Sequence, residues 1–304
     1  MKFRFTMAAW GDWHISQLER NGLPSLRAPG NLDAIDYHIS VHTRPADHDR
    51  IAAALAGLSA DIKTPLPDDM QSDQGTANGV VHVCKSQDHA AASAAGEVWA
   101  LLSPDMVWGE GTLAHHRQAF KSGKTVIYRP LLRVDAEKAG TISDFGKRSL
   151  ARIALENEHS VSREFYRADS PLFSSHAEMI IWPASRGLLN KTITAEMQTC
   201  IASSTAPNGE FMTPEVVEDE LLIVGDSDEA ITLALASPDK DFSHVAGTGP
   251  LTPQVVRTFA NWYQSPATQK IARHSYRLHA EDIDLAEWTS VERQADDLIA
   301  EVFR

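Results

Sequence analysis

The stretch Val98-Trp-Ala-Leu-Leu-Ser-Pro-Asp-Met-Val-Trp108 decides the fold. Its first five residues, Val98 to Leu102, are apolar at every position, and the run stops abruptly at Ser103-Pro104-Asp105. A segment of strand length with no polar face has none to offer to water, so it reads as a central strand of a sheet covered on both sides. Just before it, Gln87 to Gly96 is an Ala-rich stretch with high helix propensity. Just after it, Gly109 and Gly111 lead into a helical pattern over Thr112 to Phe120, then a strand at Thr125 to Tyr128 and an extended segment at Pro130 to Val134.

Toward the N-terminus the same rhythm holds. Tyr37 to His42 alternates apolar with polar residues and ends at Thr43-Arg44-Pro45, whose proline suits the first turn of a helix over Asp47 to Leu58. Phe3 to Ala9 reads as a first strand, ending at Trp10-Gly11-Asp12 before the helical spacing of Ile15, Leu18, Glu19 and Leu23. Residues 64 to 79, with Pro65, Pro67, Gly75 and Gly79, read as a loop whose length points to function rather than simple connection. The repeated βα order predicts an α/β fold: three layers, with a mostly parallel (mixed) sheet and helices on both faces. The second half is less regular. It offers a helix over Asp144 to Glu156, a short strand over Glu178 to Trp182, and a strand over Glu220 to Val224 that ends at Gly225-Asp-Ser-Asp228. Amphipathic segments over Thr252 to Tyr263 and Leu285 to Arg304 predict a C-terminal helical extension, dividing the chain into residues 1–240 and 241–304.

Composition narrows the function. The 304 residues include 28 Lys plus Arg against 41 Asp plus Glu, a net charge of −13, and no basic block that a phosphate backbone would require, so nucleic acid is excluded as a partner. Cys84 and Cys200 form neither a disulfide framework nor a zinc spacing, and neither is flanked in sequence by a base. No run approaches the eighteen apolar residues of a membrane span and the N-terminus lacks the pattern of a signal peptide, so a cytoplasmic chain is expected. Neither a P-loop nor a Gly-x-Gly-x-x-Gly follows the first strand.

Ligands of open, mostly parallel sheets bind outside the carboxyl ends of the strands, where Trp10-Gly11, Thr43-Arg44 and Ser103-Pro104-Asp105 fall. Lys85 and His89, one helical turn apart, form a further candidate pair for a phosphate. Asp226-Ser-Asp228 follows a strand and is a candidate carboxylate cluster.

The order of these elements, together with Leu101-Leu-Ser-Pro-Asp-Met-Val-Trp108, resembles the nucleotide-binding half of GT-A-fold glycosyltransferases, the nucleotide-diphospho-sugar transferase superfamily, including its uncharacterised bacterial members. The resemblance covers residues 3 to 135, with fainter echoes at Ser175–Met179 and Gly225–Glu229. In that family the corresponding strand runs into an Asp-x-Asp motif that holds a divalent metal on the diphosphate of the donor. Here Ser103 stands at the first position, leaving Asp105 as the motif's one carboxylate. The resemblance implies a nucleotide-sugar donor, an unidentified acceptor, and Mn²⁺ or Mg²⁺ held by Asp105 and His176. It implies Trp10, Gly11, Thr43, Arg44, Lys85 and His89 around the donor, and Asp105 and Asp228 as catalytic carboxylates. The missing carboxylate keeps a second reading open, a sugar-nucleotide-binding or scaffold protein of the same fold without turnover. A third is a metal-dependent phosphohydrolase or nucleotidyltransferase built on Asp105 and Asp228.

Overall fold

The computed structural model describes residues 1–70, 75–129, 132–157, 159, 179–183, 218–237, 277–282 and 289. Strands are β1 (Lys2–Ala8), β2 (Asp36–His42), β3 (Ala60–Lys63), β4 (Val98–Leu102), β5 (Met106–Trp108), β6 (Val126–Arg129), β7 (Leu132–Asp135), β8 (Met179–Pro183), β9 (Leu221–Ile223) and β10 (Thr232–Ala236). Helices are α1 (Gly11–Gln17), α2 (Leu23–Leu26), α3 (His48–Ala54), α4 (Gly75–Ala95), α5 (Thr112–Lys121), α6 (Ala136–Ala139) and α7 (Lys147–Glu156). Seven strands form one sheet in the order β3-β2-β1-β4-β8-β6-β9, and β5-β10-β7 form a second, smaller one. In the large sheet only the pairings made by β8 are antiparallel. The rest are parallel, so β1, β2, β3, β4, β6 and β9 deliver their carboxyl ends to one edge. This is the mixed, mostly parallel α/β architecture that the βα rhythm predicts.

Side-chain alternation sorts the two faces. Phe3, Phe5 and Met7 of β1 lie on one face with Ile39 and Val41 of β2 and Val98, Ala100 and Leu102 of β4, all buried in the main core. Ile15, Leu18, Leu23 and Leu26 from the α1–α2 rod, Ile51 from α3, and Leu113 and Phe120 from α5 cover that face. The Phe120 ring meets Phe3 edge-on with centroids 5.9 Å apart. The opposite face carries Arg4, Thr6, His42 and Trp99, and α4 lies across it. A helix on each side of β4 explains why its sequence is apolar throughout.

Four local differences from the sequence reading have physical causes. The helix preceding β4 starts at Gly75 rather than near Gln87, so residues 75–79 leave the proposed loop; the Ala-rich stretch from Ala90 to Ala95 sustains the helix, which extends back from it. The helix after β2 ends at Ala54, and the following Ala60–Lys63 pairs in parallel with β2 as an edge strand, too short and half-exposed to announce itself by alternation. Met106–Trp108 and Thr232–Ala236 pair with each other, a non-local contact that local propensity does not encode. Leu18–Gly22 forms a π turn inside the first helical rod, fixed by buried Asn21, whose amide donates to Gln17 Oε1 (3.0 Å) and Gly140 O (3.2 Å). The predicted C-terminal helices lie outside the described residues.

Candidate functional site at the carboxyl edge of the sheet

β2, β1 and β4 are adjacent and parallel, with Met7 level with Leu102 and Ala8 level with His42. Trp10-Gly11, Thr43-Arg44 and Ser103–Asp105 therefore emerge side by side, within about two strand spacings, or about 10 Å.

At the end of β1 the chain turns into α1 through Gly11, whose φ of +74° suits a residue without Cβ. The Gly11 N–H donates to Asp47 Oδ2 at 3.0 Å, and Arg44 Nε donates to the same oxygen at 2.7 Å. One carboxylate thus ties the β1–α1 turn to the β2–α3 turn. Arg44 Nη1 also donates to the carbonyls of Met70 (3.2 Å) and Asp68 (3.5 Å). Burial works against the charge of Asp47, but the Arg44 and Gly11 donors outweigh it and hold the carboxyl below its usual range. Thr43 is fully buried; its N–H donates to Lys63 O at 2.9 Å and its carbonyl accepts from Leu66 N at 3.3 Å. Leu66, Met70 and Val81 pack against Trp10 and Ala8 and wall this end of the sheet. Two buried polar atoms here, Trp10 Nε1 and Thr43 Oγ1, have no hydrogen-bond partner among the described residues.

Asp105 sits in the turn between β4 and β5. Ser103 Oγ donates to Asp105 Oδ1, and the Asp105 carbonyl accepts from Leu235 N at 2.9 Å. Ser103, where the resemblance leads one to expect a carboxylate, is thus bonded to Asp105.

The remaining candidates go elsewhere. Lys85 is half-buried on α4, whereas the His89 ring is turned inward against Trp99, centroids 5.4 Å apart, and burial pushes its pKa down to about 4. Lys85 and His89 therefore share a helix but not an exposed face. Asp228 does not converge on Asp105. In the β5–β10 pair Asp105 adjoins Leu235 while Gly109 N bonds Ile231 O, so the turn bearing Asp228 lies at the other end, about four residues or 13 Å of strand away. Its carboxylate accepts from the Arg148 guanidinium at 3.1 and 3.4 Å. His176 lies outside the described residues.

Sequence reasoning missed Asp47, read only as a helix start, and a buried polar cluster under β1 and β2. Asp88 of α4 accepts from His42 Nε2 (2.7 Å), Thr6 Oγ1 (3.1 Å) and Lys63 Nζ (2.9 Å). Desolvation alone would lower the pKa of His42, but the Asp88 carboxylate and, secondarily, the neighbouring Cys84 sulfur raise it to about 9. The Cys84 contact is loose, since His42 Nδ1 has no well-formed hydrogen bond among the described residues. Cys84 therefore has an imidazole beside it, charged at neutral pH and supplied by a residue 42 positions away. Only the shared alternation of His38, Ser40 and His42 hinted at a polar face.

No family model matches the chain, and no curated protein matches it. Among solved structures, S. aureus TarS 1-349 in complex with UDP is similar at 12% identity and a TM-score of 0.46, over 90% of this chain and 70% of that one. The same protein in complex with UDP-GlcNAc gives 12% identity and a TM-score of 0.44, over 99% and 82%. Mouse xyloside xylosyltransferase 1 gives 9% identity and a TM-score of 0.32 over 43% of this chain. The chain spans 54% of that xylosyltransferase and 42% of the longer TarS structure.

Proposed function

We propose that the protein binds a nucleotide-diphosphate sugar across the ends of β1, β2 and β4 and transfers the sugar to an acceptor. The observation that carries this reading is the juxtaposition of three parallel strand ends, which puts the Arg44 guanidinium, fixed by Asp47, and the partly exposed Asp105 carboxylate on neighbouring loops. Ligands of mostly parallel sheets sit in the crevice at such ends. Arg44, held on one side by Asp47 and on the other by the 68–70 carbonyls, suits the diphosphate, and Asp105, at the end of the neighbouring strand, would serve the reacting end. Asp105 would hold Mn²⁺ or Mg²⁺, which would neutralise charge developing on the departing diphosphate. One carboxylate with its neighbour hydroxyl is a sparse donor set for a hard cation, so diphosphate oxygens must complete the shell.

A specific observation favours a second reading, a binding protein of the same fold without turnover: Asp228, the other candidate carboxylate, stands at the far end of the β5–β10 pair. The two readings separate in one experiment. Incubation with UDP- and GDP-sugars should give both binding and slow release of nucleoside diphosphate if the protein is a transferase. Binding without release would support the second reading, and neither would sink both.

A further inference from the structure

We propose that Asp226, Asp228 and His279 form a divalent-cation site, separate from the strand-end cleft and independent of nucleotide, suited to a borderline ion such as Mn²⁺, Co²⁺ or Zn²⁺. Ligand atoms of these three residues all lie within 4.8 Å of one another. His279 Nε2 is 2.9 Å from Asp226 Oδ1 and 3.9 Å from Asp228 Oδ2. That 2.9 Å contact is a hydrogen bond from the Nε2 proton, which a cation would displace; because two ligands on adjacent corners of an octahedron with bonds of about 2.1 Å are about 3.0 Å apart, the pair would need little movement to form one polyhedral edge.

The orientation of the imidazole is fixed from outside the cluster. His279 Nδ1 bonds the carbonyl of Glu281 at 2.8 Å, which requires a proton on Nδ1 and directs Nε2 at the two carboxylates. A carbonyl holding the far nitrogen of a ligating histidine is the usual arrangement that sets its tautomer. The backbone brings the segments together without help from any ion. Asp226 and Arg277 form an isolated parallel bridge, with Ser227 N donating to Arg277 O and Arg277 N to Gly225 O, each at 2.8 Å. His279 is therefore delivered to the Asp226–Asp228 turn by main-chain pairing. One imidazole nitrogen with carboxylate oxygens suits first-row ions better than Ca²⁺, which takes six to eight oxygens.

A competitor is in place. Arg148 spans Asp228 and Asp282, its Nη1 donating to Asp282 Oδ1 at 2.6 Å, and an ion must share Asp228 with it. That competition supplies the discriminating variant. Binding of Mn²⁺ followed by electron paramagnetic resonance, and of Co²⁺ by its visible spectrum, is measured on the full chain without nucleotide. Wild type should bind one ion, and Co²⁺ should show a nitrogen-ligated spectrum. Asp226→Asn and His279→Gln should each weaken binding by at least about 10–100-fold, the loss typical of removing even an outer partner of a ligand. Arg148→Gln should tighten it, and Asp105→Ala should leave it unchanged, which separates this site from the cleft. Asp282→Asn, which removes a partner of Arg148 but no ligand, controls for general disturbance of the ion pairs. Absence of ion binding in wild type, equal binding by His279→Gln, or weaker binding by Arg148→Gln would each show that the cluster is an ion-pair network and nothing more.

Discussion

His42 and His89 are both buried against the same face of the sheet, yet their charges are settled in opposite directions. His42 faces a carboxylate; His89 faces an indole. For His42, a folded-state pKa of about 9 against an ordinary 6.5 means that its contribution is fully present below 6.5 and is lost as pH rises through 9. The contribution is on the order of 3 kcal/mol. For His89, depressed to about 4, the sign is reversed: stability is intact above 6.5 and falls as pH drops toward 4. Imidazole NMR titration should show His42 still charged at pH 8 and His89 still neutral at pH 5. Urea unfolding of Asp88→Asn should lose the alkaline dependence expected of wild type. Asp47→Ala frees both the Gly11 N–H and Arg44 Nε, and should weaken nucleoside diphosphate binding by about 10–150-fold, since charge-assisted bonds are worth about 1.5–3 kcal/mol. Calorimetry would check it, with unchanged affinity showing that Arg44 is not a ligand. Neither residue role was legible in sequence. Asp47 looks like any helix-start acid, and Asp88 meets His42 only after 46 residues of chain have folded back.

Elements were legible wherever local physics sets them. β4 matches its predicted bounds at Val98 and Leu102, because burial on both faces leaves an unbroken apolar run. β1 and β2 were readable from alternation, and their shared direction followed from the intervening helices. What escaped was non-local: the β5–β10 pair joins segments more than a hundred residues apart, and it is this pair that separates Asp228 from Asp105. Connections between elements are tested at Gly30. Its φ is +75°, and a Cβ there would lie 2.7 Å from Gly111 Cα, where the turn after β5 enters α5. At Gly57, with φ +82°, a Cβ would meet nothing within 4 Å. Gly57→Ala should therefore cost only the left-handed strain, about 1 kcal/mol, and Gly30→Ala about 3 kcal/mol or more, because backbone must move as well. Denaturant midpoints of the two variants would decide, and equal losses would show that the Gly30–Gly111 contact is not tight.

At the scale of the whole molecule, one sheet edge collects the ends of β1, β2 and β4, and an acidic turn with His279 lies beyond it, at the far end of the β5–β10 pair. No helix among the described residues is long and apolar enough to cross a membrane. We propose that the first of these places is a nucleotide-diphosphate site in which Asp105 acts through a weakly held metal. Calorimetric titration of UDP and GDP, with Mn²⁺ and with a chelator, into wild type and Asp105→Ala tests it most directly. One of the two nucleotides should bind wild type, more tightly with Mn²⁺. At a hundredfold excess over its dissociation constant it should stabilise the fold by about 2.7 kcal/mol. Asp105→Ala should abolish the Mn²⁺ enhancement while the ligand-free variant unfolds within about 0.5 kcal/mol of wild type. No binding of either nucleotide, or binding by Asp105→Ala with its Mn²⁺ enhancement intact, would contradict the account.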